Sequence, residues 1–252
     1  MKYHRIIVTE ESMIIAGLKA IIDIVEYIGE LDEVSWIDVS IRNEQSKIVS
    51  VDVYVEAYEV IDKELLNNLY VKLQNKPLKY RIDIRLVDKQ ERTTLFSEKI
   101  MNLYDEIMNL SRNILVKLLR QYLNRNQEYF AAIVGDGKLI LLEGEEQEVH
   151  VPIPQYLEPI VTAHTHPYST CIPSKKDVES FIRLLMDQGI GSIIVSPLCT
   201  MLLYRRGPFV EEDYERLVRF SKEIGKAKDI VNALRIIGEY AKKLRNVKII
   251  TM

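Results

Sequence analysis

Cysteine and histidine are scarce in this chain of 252 residues. It contains two cysteines, Cys171 and Cys199, and no Cys-x-x-Cys pair, which is too few for a secreted scaffold held together by disulfides. Four histidines occur in the whole chain, and two of them, His164 and His166, are separated by one residue. This concentration of a rare residue type marks their region as the first candidate for a functional site.

Long uncharged runs and a strong charge of either sign are also missing. A long uncharged stretch, residues 190–204, is interrupted by Ser196 and Pro197 and is shorter than the ~18 apolar residues of a membrane span. The first residues, Met1 to Ile6, lack a long apolar core and a cleavage site of small residues. A net charge of -3 argues against nucleic-acid binding through bulk electrostatics. We therefore expect a cytoplasmic protein that binds neither membrane nor nucleic acid.

One stretch of the chain brings polar side chains to the spacing of a metal site. Residues Ile160 to Ala163 are apolar and partly β-branched, which favours a strand. Side chains two apart in a strand point to the same face, so His164 and His166 are expected to lie side by side. Ser174 opens an apolar-periodic run that predicts a helix, with Asp177 in its first turn. A short loop between strand and helix would bring the four polar side chains together.

Each part of this stretch also has an ordinary structural explanation. Ser174-x-x-Asp177 is close to a capping box, in which a hydroxyl and an acidic side chain bind the N–H groups at a helix start. His-x-His pairs are common on solvated strands. The combination points to a metal, because two neutral imidazoles and one carboxylate suit Zn²⁺ and leave one position for water. We predict a catalytic site with one Zn²⁺ per chain, held by His164, His166 and Asp177.

The same residues resemble a known family. His164-Thr-His166-Pro, seven residues between His166 and Ser174, and then Ser174-x-x-Asp177 match the spacing and residue types of the JAMM (MPN+) metalloproteases. That family also has a glutamate at a helix end, before an apolar strand that ends in glycine. Residues 128–135 are similar to that element. The resemblance covers roughly residues 105 to 208 and implies a JAMM/MPN-type, cytidine-deaminase-like catalytic domain with helices packed on a mixed sheet.

The chemistry expected of such a site is metal-assisted amide hydrolysis. A Zn²⁺ on two histidines and an aspartate keeps a net charge of about +1, so the pKa of its water can fall toward ~7. Glu128 is the candidate general acid/base, and Ser174 would help stabilise the carbonyl oxygen of the substrate. Without the family match, Glu128 would be interpreted as a solvated acid. Four further glutamates of a polar turn compete with it: Glu143, Glu145, Glu146 and Glu148.

By resemblance, the substrate is a peptide or isopeptide bond at the C-terminus of a ubiquitin-like modifier, and this modifier or its conjugates would be the partner. The segment from Gly135 to His164 is short, which favours a prokaryotic-type member. One alternative is a non-catalytic MPN-type scaffold subunit, although such relatives usually lack metal ligands. Another is release of small molecules from a carrier protein. A zinc nucleobase deaminase is disfavoured, because the chain lacks His-x-Glu and Pro-Cys-x-x-Cys.

The rest of the chain predicts an α/β (α+β) protein of two domains. Its composition, 47% hydrophobic and 28% charged, is that of a soluble protein that can bury a core. Residues 1–92 are expected to form an N-terminal α/β domain whose order βαββαβ suggests a ferredoxin-like sandwich. It could bind a partner or mediate a homodimer. Its predicted elements are the strand Arg5 to Thr9, the helix Ser12 to Gly29, the strands Val34 to Ile41 and Lys47 to Tyr58, the helix Asp62 to Leu73 and the strand Lys79 to Val87.

Residues 93–252 are expected to form the zinc hydrolase domain with its C-terminal helices. The second of these helices carries an apolar stripe that we expect to pack on the core, with packing on another subunit as the alternative. Its members are Ile230, Leu234, Ile237, Ala241 and Leu244. The other predicted elements are the helix Thr93 to Asn126, the strands Tyr129 to Val134, Lys138 to Leu142, Val149 to Ile153, Ile160 to Thr165, Ser192 to Ser196 and Thr200 to Arg205, and the helices from Ser174, Val210 to Ile224 and Lys228 to Leu244.

The two cysteines allow two interpretations. Cys171 lies between the predicted ligands, and Cys199 follows a strand expected to neighbour them, so a disulfide could fix the loop. Two reduced, buried thiols are the alternative, which a reducing cytoplasm favours.

Overall fold

The computed structural model describes residues 2–30, 34–44, 47–57, 81–87, 95–124, 127–144, 158–166 and 170–252. Contacts divide the chain into a larger unit, residues 1–16 and 105–252, and a smaller unit, residues 17–104. The predicted helix from Asp62 to Leu73 and the predicted strand from Val149 to Ile153 lie outside the described residues.

The described elements include both strands and helices, which gives the mixed α/β class that the sequence predicts. In chain order they are β1 (Lys2–Val8), α1 (Glu10–Gly29), β2 (Val34–Glu44), β3 (Lys47–Ala57), β4 (Arg81–Leu86), α2 (Glu98–Leu119), a 3₁₀ turn (Arg120–Tyr122), β5 (Tyr129–Val134), β6 (Lys138–Glu143), β7 (Pro159–Thr165), α3 (Lys175–Met186), β8 (Gly191–Val195), β9 (Thr200–Arg205), α4 (Glu211–Ile224), α5 (Ile230–Lys243) and β10 (Val247–Thr251).

The larger unit is built on a mixed seven-stranded sheet in the order β1-β6-β5-β7-β8-β9-β10. Among the strand pairs that the structure describes in this sheet, β7 and β8 are parallel and the others antiparallel. Every residue of β8 and β9 is buried, as expected for strands that are covered on both faces. Helices α3, α4 and α5 share one apolar core with the sheet, to which Ile194, Leu203 and Val247 contribute from the strands.

Helix α3 has the apolar spacing that its sequence predicts. Its buried residues recur at intervals of three and four, the spacing of one helix face. Burying each large side chain contributes about 1.5–3 kcal/mol, so this face is held firmly and the first turn of the helix is oriented with it. The buried residues are Val178, Phe181, Ile182, Leu184 and Leu185.

The start of α1 is fixed by a reciprocal cap and by the turn between β5 and β6. The Ser12 N–H donates to Thr9 Oγ1, and the Thr9 N–H donates to Ser12 Oγ, both at 3.0 Å. Ser12 Oγ also donates to the Gly137 carbonyl at 2.6 Å. Gly137 has a φ of 80°, and a side chain there would collide with Met13. Glycine is therefore required at this turn.

The first strand does not join the N-terminal sheet, so the predicted ferredoxin-like order is wrong at its first element. β1 pairs antiparallel with β6, with Ile6 opposite Ile140. In the described part of the smaller unit the sheet is β2-β3-β4, with β2 and β3 antiparallel and β3 and β4 parallel. Main-chain ladder bonds are the same for any sequence, so alternation predicts a strand without indicating which strand it will pair with.

The division into units falls inside two helices. Residues 10–16 of α1 belong to the larger unit and residues 17–29 to the smaller one, and α2 divides between residues 104 and 105. The predicted boundary between residues 92 and 93 lies outside the described residues and stays a prediction. Among the described helices, none combines the length and the apolar character needed to cross a membrane.

Two features near the C-terminus also differ from the sequence prediction. The stripe on α5 is only half buried: Ile237 and Leu244 lie in the core, whereas Ile230 and Leu234 are 60% and 49% exposed. Strand β10 was not predicted, and it pairs antiparallel with β9. Its three β-branched aliphatic residues are the signal that favours a strand there.

Candidate metal centre

Strand β7 places two imidazoles on the sheet face that the helices cover. His164 pairs with Phe130 in β5 and with Ile194 in β8, and Ile194 belongs to the helix-covered core. The His166 N–H donates to the Val195 carbonyl at 2.8 Å, so the chain keeps its extended path. His166 therefore points to the same face as His164.

The start of α3 supplies the third polar group. Ser174 caps the helix, and its Oγ accepts the Asp177 N–H at 3.2 Å. In return, the Ser174 N–H donates to Asp177 Oδ2 at 2.6 Å. The capping-box interpretation is therefore confirmed. It does not compete with a second role, because the cap anchors one carboxylate oxygen and so fixes the direction of the whole Asp177 side chain.

The three predicted ligands converge. His164 Nε2 lies 3.2 Å from His166 Nε2 and 3.1 Å from Asp177 Oδ1, and His166 Nε2 lies 3.4 Å from Asp177 Oδ2. Donor atoms about 2.0–2.1 Å from a tetrahedral zinc ion are about 3.3–3.4 Å apart, which is close to these separations, although the two imidazoles lie nearest to different oxygens of Asp177. Within the described ranges, these residues are the group of His, Cys, Asp or Glu side chains that could hold a metal.

Charge within the cluster favours a cation. Burial on its own would raise the pKa of Asp177, but His164 and His166 hold it well below its usual range. Burial on its own would lower the pKa of His164, yet Asp177 and Glu128 raise it above its ordinary value. The carboxylate thus favours the protonated form of the neighbouring imidazole, and a metal ion bound there would take the place of that proton.

Glu128 lies beside the cluster, directly before β5. Phe130 pairs with His164 in the antiparallel β5–β7 register. Glu128 stands two residues before Phe130, and His166 stands two residues after His164. Continuing the register would therefore place Glu128 opposite His166. Burial raises the pKa of the Glu128 carboxyl above its ordinary value, although His164 and His166 partly offset this. A carboxyl with a raised pKa can both accept and return a proton closer to neutral pH.

The competing glutamates do not share this position. The Glu143 carboxylate accepts the Tyr129 hydroxyl at 2.9 Å. Tyr129 follows Glu128, and successive side chains of a strand point to opposite faces. Glu143 therefore lies on the face away from His164. The other three, Glu145, Glu146 and Glu148, lie outside the described residues.

The loop between β7 and α3 is tied covalently to the turn between β8 and β9. Cys171 and Cys199 form a disulfide with Cα atoms 5.7 Å apart, and the described residues contain no free cysteine. The interpretation as two reduced thiols therefore does not match this structure. Because Cys171 lies between His166 and Asp177, the bridge limits how far the helix ligand can move from the strand ligands.

Sequence reasoning missed Thr165, the residue between the two histidines. It is fully buried, and its Oγ1 accepts the Tyr129 N–H at 2.8 Å. Alternation turns its side chain away from the metal cluster, so the motif gave it no role. The available signal was a hydroxyl next to an apolar strand, since a buried hydroxyl needs a hydrogen-bond partner.

Comparison of the chain with protein-family models, with curated proteins and with solved structures produced no match. The class that fold and site define is a mixed α/β protein with a His, His, Asp cluster between a strand and a helix start. Any more specific function rests on the motif and on this geometry.

Proposed function

We propose that this chain is a zinc-dependent hydrolase of the JAMM type, which cleaves an amide bond at the C-terminus of a ubiquitin-like modifier. The observation that carries the proposal is the convergence of His164, His166 and Asp177, whose donor atoms lie 3.1 to 3.4 Å apart. The position of Glu128 beside them supports hydrolysis rather than a purely structural metal, because hydrolysis also needs a group that moves protons.

A bound Zn²⁺ would supply two effects: it would acidify a water toward neutral pH and polarise the carbonyl of the substrate. Glu128 takes the proton that the water loses and passes it to the nitrogen of the amide as the C–N bond breaks. The water oxygen is then on the carbonyl carbon, and the products are a carboxylate and an amine. Ser174 Oγ accepts the Asp177 N–H, so its hydrogen remains available to the developing oxyanion.

The substrate class comes from the resemblance of the motif to JAMM metalloproteases. A ubiquitin-like protein or its conjugates would be the partner. Release of a small molecule from a carrier protein would use the same residues and would differ only in the leaving amine. A scaffold role without catalysis is the other alternative, and it is disfavoured because both the ligand residues and Glu128 are present together.

The proposal is tested with fusions in which a lysine side chain is joined to the C-terminus of candidate ubiquitin-like proteins, each incubated with zinc-loaded protein. We expect cleavage at the isopeptide. Glu128→Gln should retain zinc and lose kcat by roughly 10²-fold, as expected for loss of a positioned acid/base. Glu143→Gln is the matched control, since its carboxylate lies on the opposite face, and it should keep normal turnover.

The outcomes separate the candidate functions. Cleavage of small-molecule conjugates without cleavage of isopeptides would favour the carrier-protein function. Zinc binding without any turnover would favour the scaffold. Normal turnover in Glu128→Gln would move the acid/base role to another residue.

A further inference from the structure

The peptide group between Glu128 and Tyr129 is held from both sides. Its carbonyl oxygen accepts the Gly144 N–H at 2.8 Å, and its N–H donates to Thr165 Oγ1 at 2.8 Å. Gly144 follows β6 and Thr165 ends β7, so the two bonds leave the strand in opposite directions. Together they fix the plane of this peptide group, and with it the direction in which the Glu128 side chain leaves the backbone.

The hydroxyl of Thr165 bridges a point where two strands separate. The registered pairing of β5 with β7 ends at Phe130 and His164. Beyond this pair, β7 continues along β8, where Thr165 pairs with Val195. The hydrogen bond from Tyr129 to Thr165 therefore lies just beyond the end of this ladder, between the residue that follows Glu128 and the residue that precedes His166.

Burial makes this hydrogen bond costly to lose. Tyr129 and Thr165 are both 0% exposed, so water cannot easily replace the hydroxyl as acceptor. A buried N–H without an acceptor carries its full desolvation penalty, and the strand end can relieve it only by moving. The Tyr129 side chain is held separately, through its hydroxyl on Glu143 and its ring on Tyr122, so the movement would fall on the peptide group and on Glu128.

We propose that Thr165 is a positioning residue, whose hydroxyl holds the backbone of Glu128 so that its carboxylate faces the metal cluster. This inference rests on the proposed hydrolase function. Thr165 itself touches neither the substrate nor the metal, because its side chain points to the other face of the sheet. The Thr165 hydroxyl acts by fixing the position of the Glu128 carboxylate, and proton transfer depends on that position.

Three variants test this role. Thr165→Val keeps the shape and removes the acceptor, whereas Thr165→Ser keeps the acceptor. Thr162→Val is the matched control, because Thr162 lies on the same strand and its Oγ1 donates to Ser192 Oγ at 3.2 Å, away from Glu128. Each protein is measured for zinc content, for kcat and KM, and, without metal, for the hydrogen-exchange rate of the Tyr129 amide by NMR.

We expect Thr165→Val to bind zinc normally, to lose kcat by roughly 10-fold or more with KM retained, and to exchange the Tyr129 amide roughly 10-fold faster or more. Thr165→Ser should restore both values, and Thr162→Val should leave both unchanged. If Thr165→Val fails to fold, the unsubstituted protein still tests the bond, since its Tyr129 amide should be among the slowly exchanging ones.

Fast exchange of the Tyr129 amide in the unsubstituted protein would overturn the proposal. Unchanged kcat in a folded Thr165→Val protein, or a kcat that Thr165→Ser fails to restore, would do the same. An unsubstituted protein that binds zinc and shows no turnover would overturn the hydrolase function and the positioning role that depends on it. The exchange rates would then still show whether Thr165 holds the Tyr129 amide.

Discussion

Two aspartates occupy the same position in two helices of the larger unit and have different partners. Asp177 is the third residue of α3, and Asp213 is the third residue of α4. Asp213 is fully buried, and its two oxygens accept the N–H groups of Arg245 and Asn246 at 2.7 and 2.8 Å. The Asp177 carboxylate takes one N–H from its own helix cap and faces two imidazole nitrogens.

The difference shows what decides the role of an acidic residue at a helix start. The helix dipole favours an acidic residue at either position, so location alone does not separate the roles of the two aspartates. Both oxygens of Asp213 accept main-chain hydrogen bonds, which link α4 to the segment before β10. Imidazole nitrogens are themselves able to bind metals, so an aspartate at the same helical position can serve the proposed zinc site. The partners of the two carboxylates therefore distinguish a structural aspartate from the proposed metal ligand.

The largest effect is expected from Asp177→Asn. This change removes the only charged ligand of the predicted zinc site, while the amide oxygen can still accept the Ser174 N–H. Zinc affinity should fall by roughly 10³-fold or more, beyond the 10- to 100-fold typical of losing an outer partner. Competition with a zinc-binding dye measures it. Unchanged affinity would remove Asp177 from the ligand set and would end the contrast with Asp213.

The two helix starts also differ in covalent support, because only the loop before α3 carries a disulfide. The cysteines are 28 residues apart, and a bridge closing a loop of that length contributes about 3–4 kcal/mol in the chain-entropy description. Reduction should lower the free energy of unfolding by this amount, measured by urea denaturation. Native, unreduced protein should offer no thiol to an alkylating reagent, and two alkylated thiols would contradict the bridge.

A smaller effect is expected from Asp213→Asn, which should lower stability without changing zinc binding. Asparagine has one acceptor oxygen, so one of the two buried N–H groups loses its partner. The free energy of unfolding should fall by about 1.5–3 kcal/mol, while zinc stoichiometry stays that of the unsubstituted protein. A fall in zinc affinity comparable to that of Asp177→Asn would mean that the two aspartates are not separable as structural and ligand residues.

The smallest effect is the pH dependence of the metal-free protein. The pKa of His164 is raised from 6.5, so its contribution to stability is present below that pH and is lost as pH rises through the raised value. The pKa of Asp177 is lowered from 3.8, so its contribution is present above 3.8 and is lost as pH falls. The pair therefore stabilises the metal-free protein most between these two values.

Thermal unfolding of chelator-treated protein checks this dependence. The midpoint should decrease as pH rises from about 6 to about 9, and this decrease should be weaker in Asp177→Asn than in Asp213→Asn. Zinc should reverse the trend, since its histidine ligands must be neutral. The same slope in both variants would indicate that His164 is not coupled to Asp177.

The sequence predicted the parts of the site that follow from local geometry. Alternation in β7 places His164 and His166 on one face, and helical spacing places Asp177 in the first turn of α3. Residues 145–157 are outside the described part, so the predicted strand there stays a prediction. The pairing of β1 with β6 could not be predicted, because it depends on which sheet edge is available. A chain that begins near Thr93 would lack β1 and leave the edge of β6 unpaired.

Side-chain hydrogen bonds between neighbouring strands also could not be predicted from local sequence patterns. The hydrogen bond between Thr165 and Tyr129 links residues 36 apart, and nothing in either short segment indicates the other. The disulfide was undecided for a different reason, since cysteine pairing depends on the redox compartment as well as on distance.

Zinc analysis of the purified protein and of its His164→Ala variant tests the metal centre most directly. Both proteins are loaded with zinc and freed of weakly bound metal by gel filtration. Their zinc content is then measured by elemental mass spectrometry. We predict one zinc per chain in the unsubstituted protein and none in His164→Ala, with the same far-ultraviolet circular dichroism in both. Stoichiometric zinc in His164→Ala, or a folded unsubstituted protein that retains none, would contradict the assignment of this cluster as a zinc site.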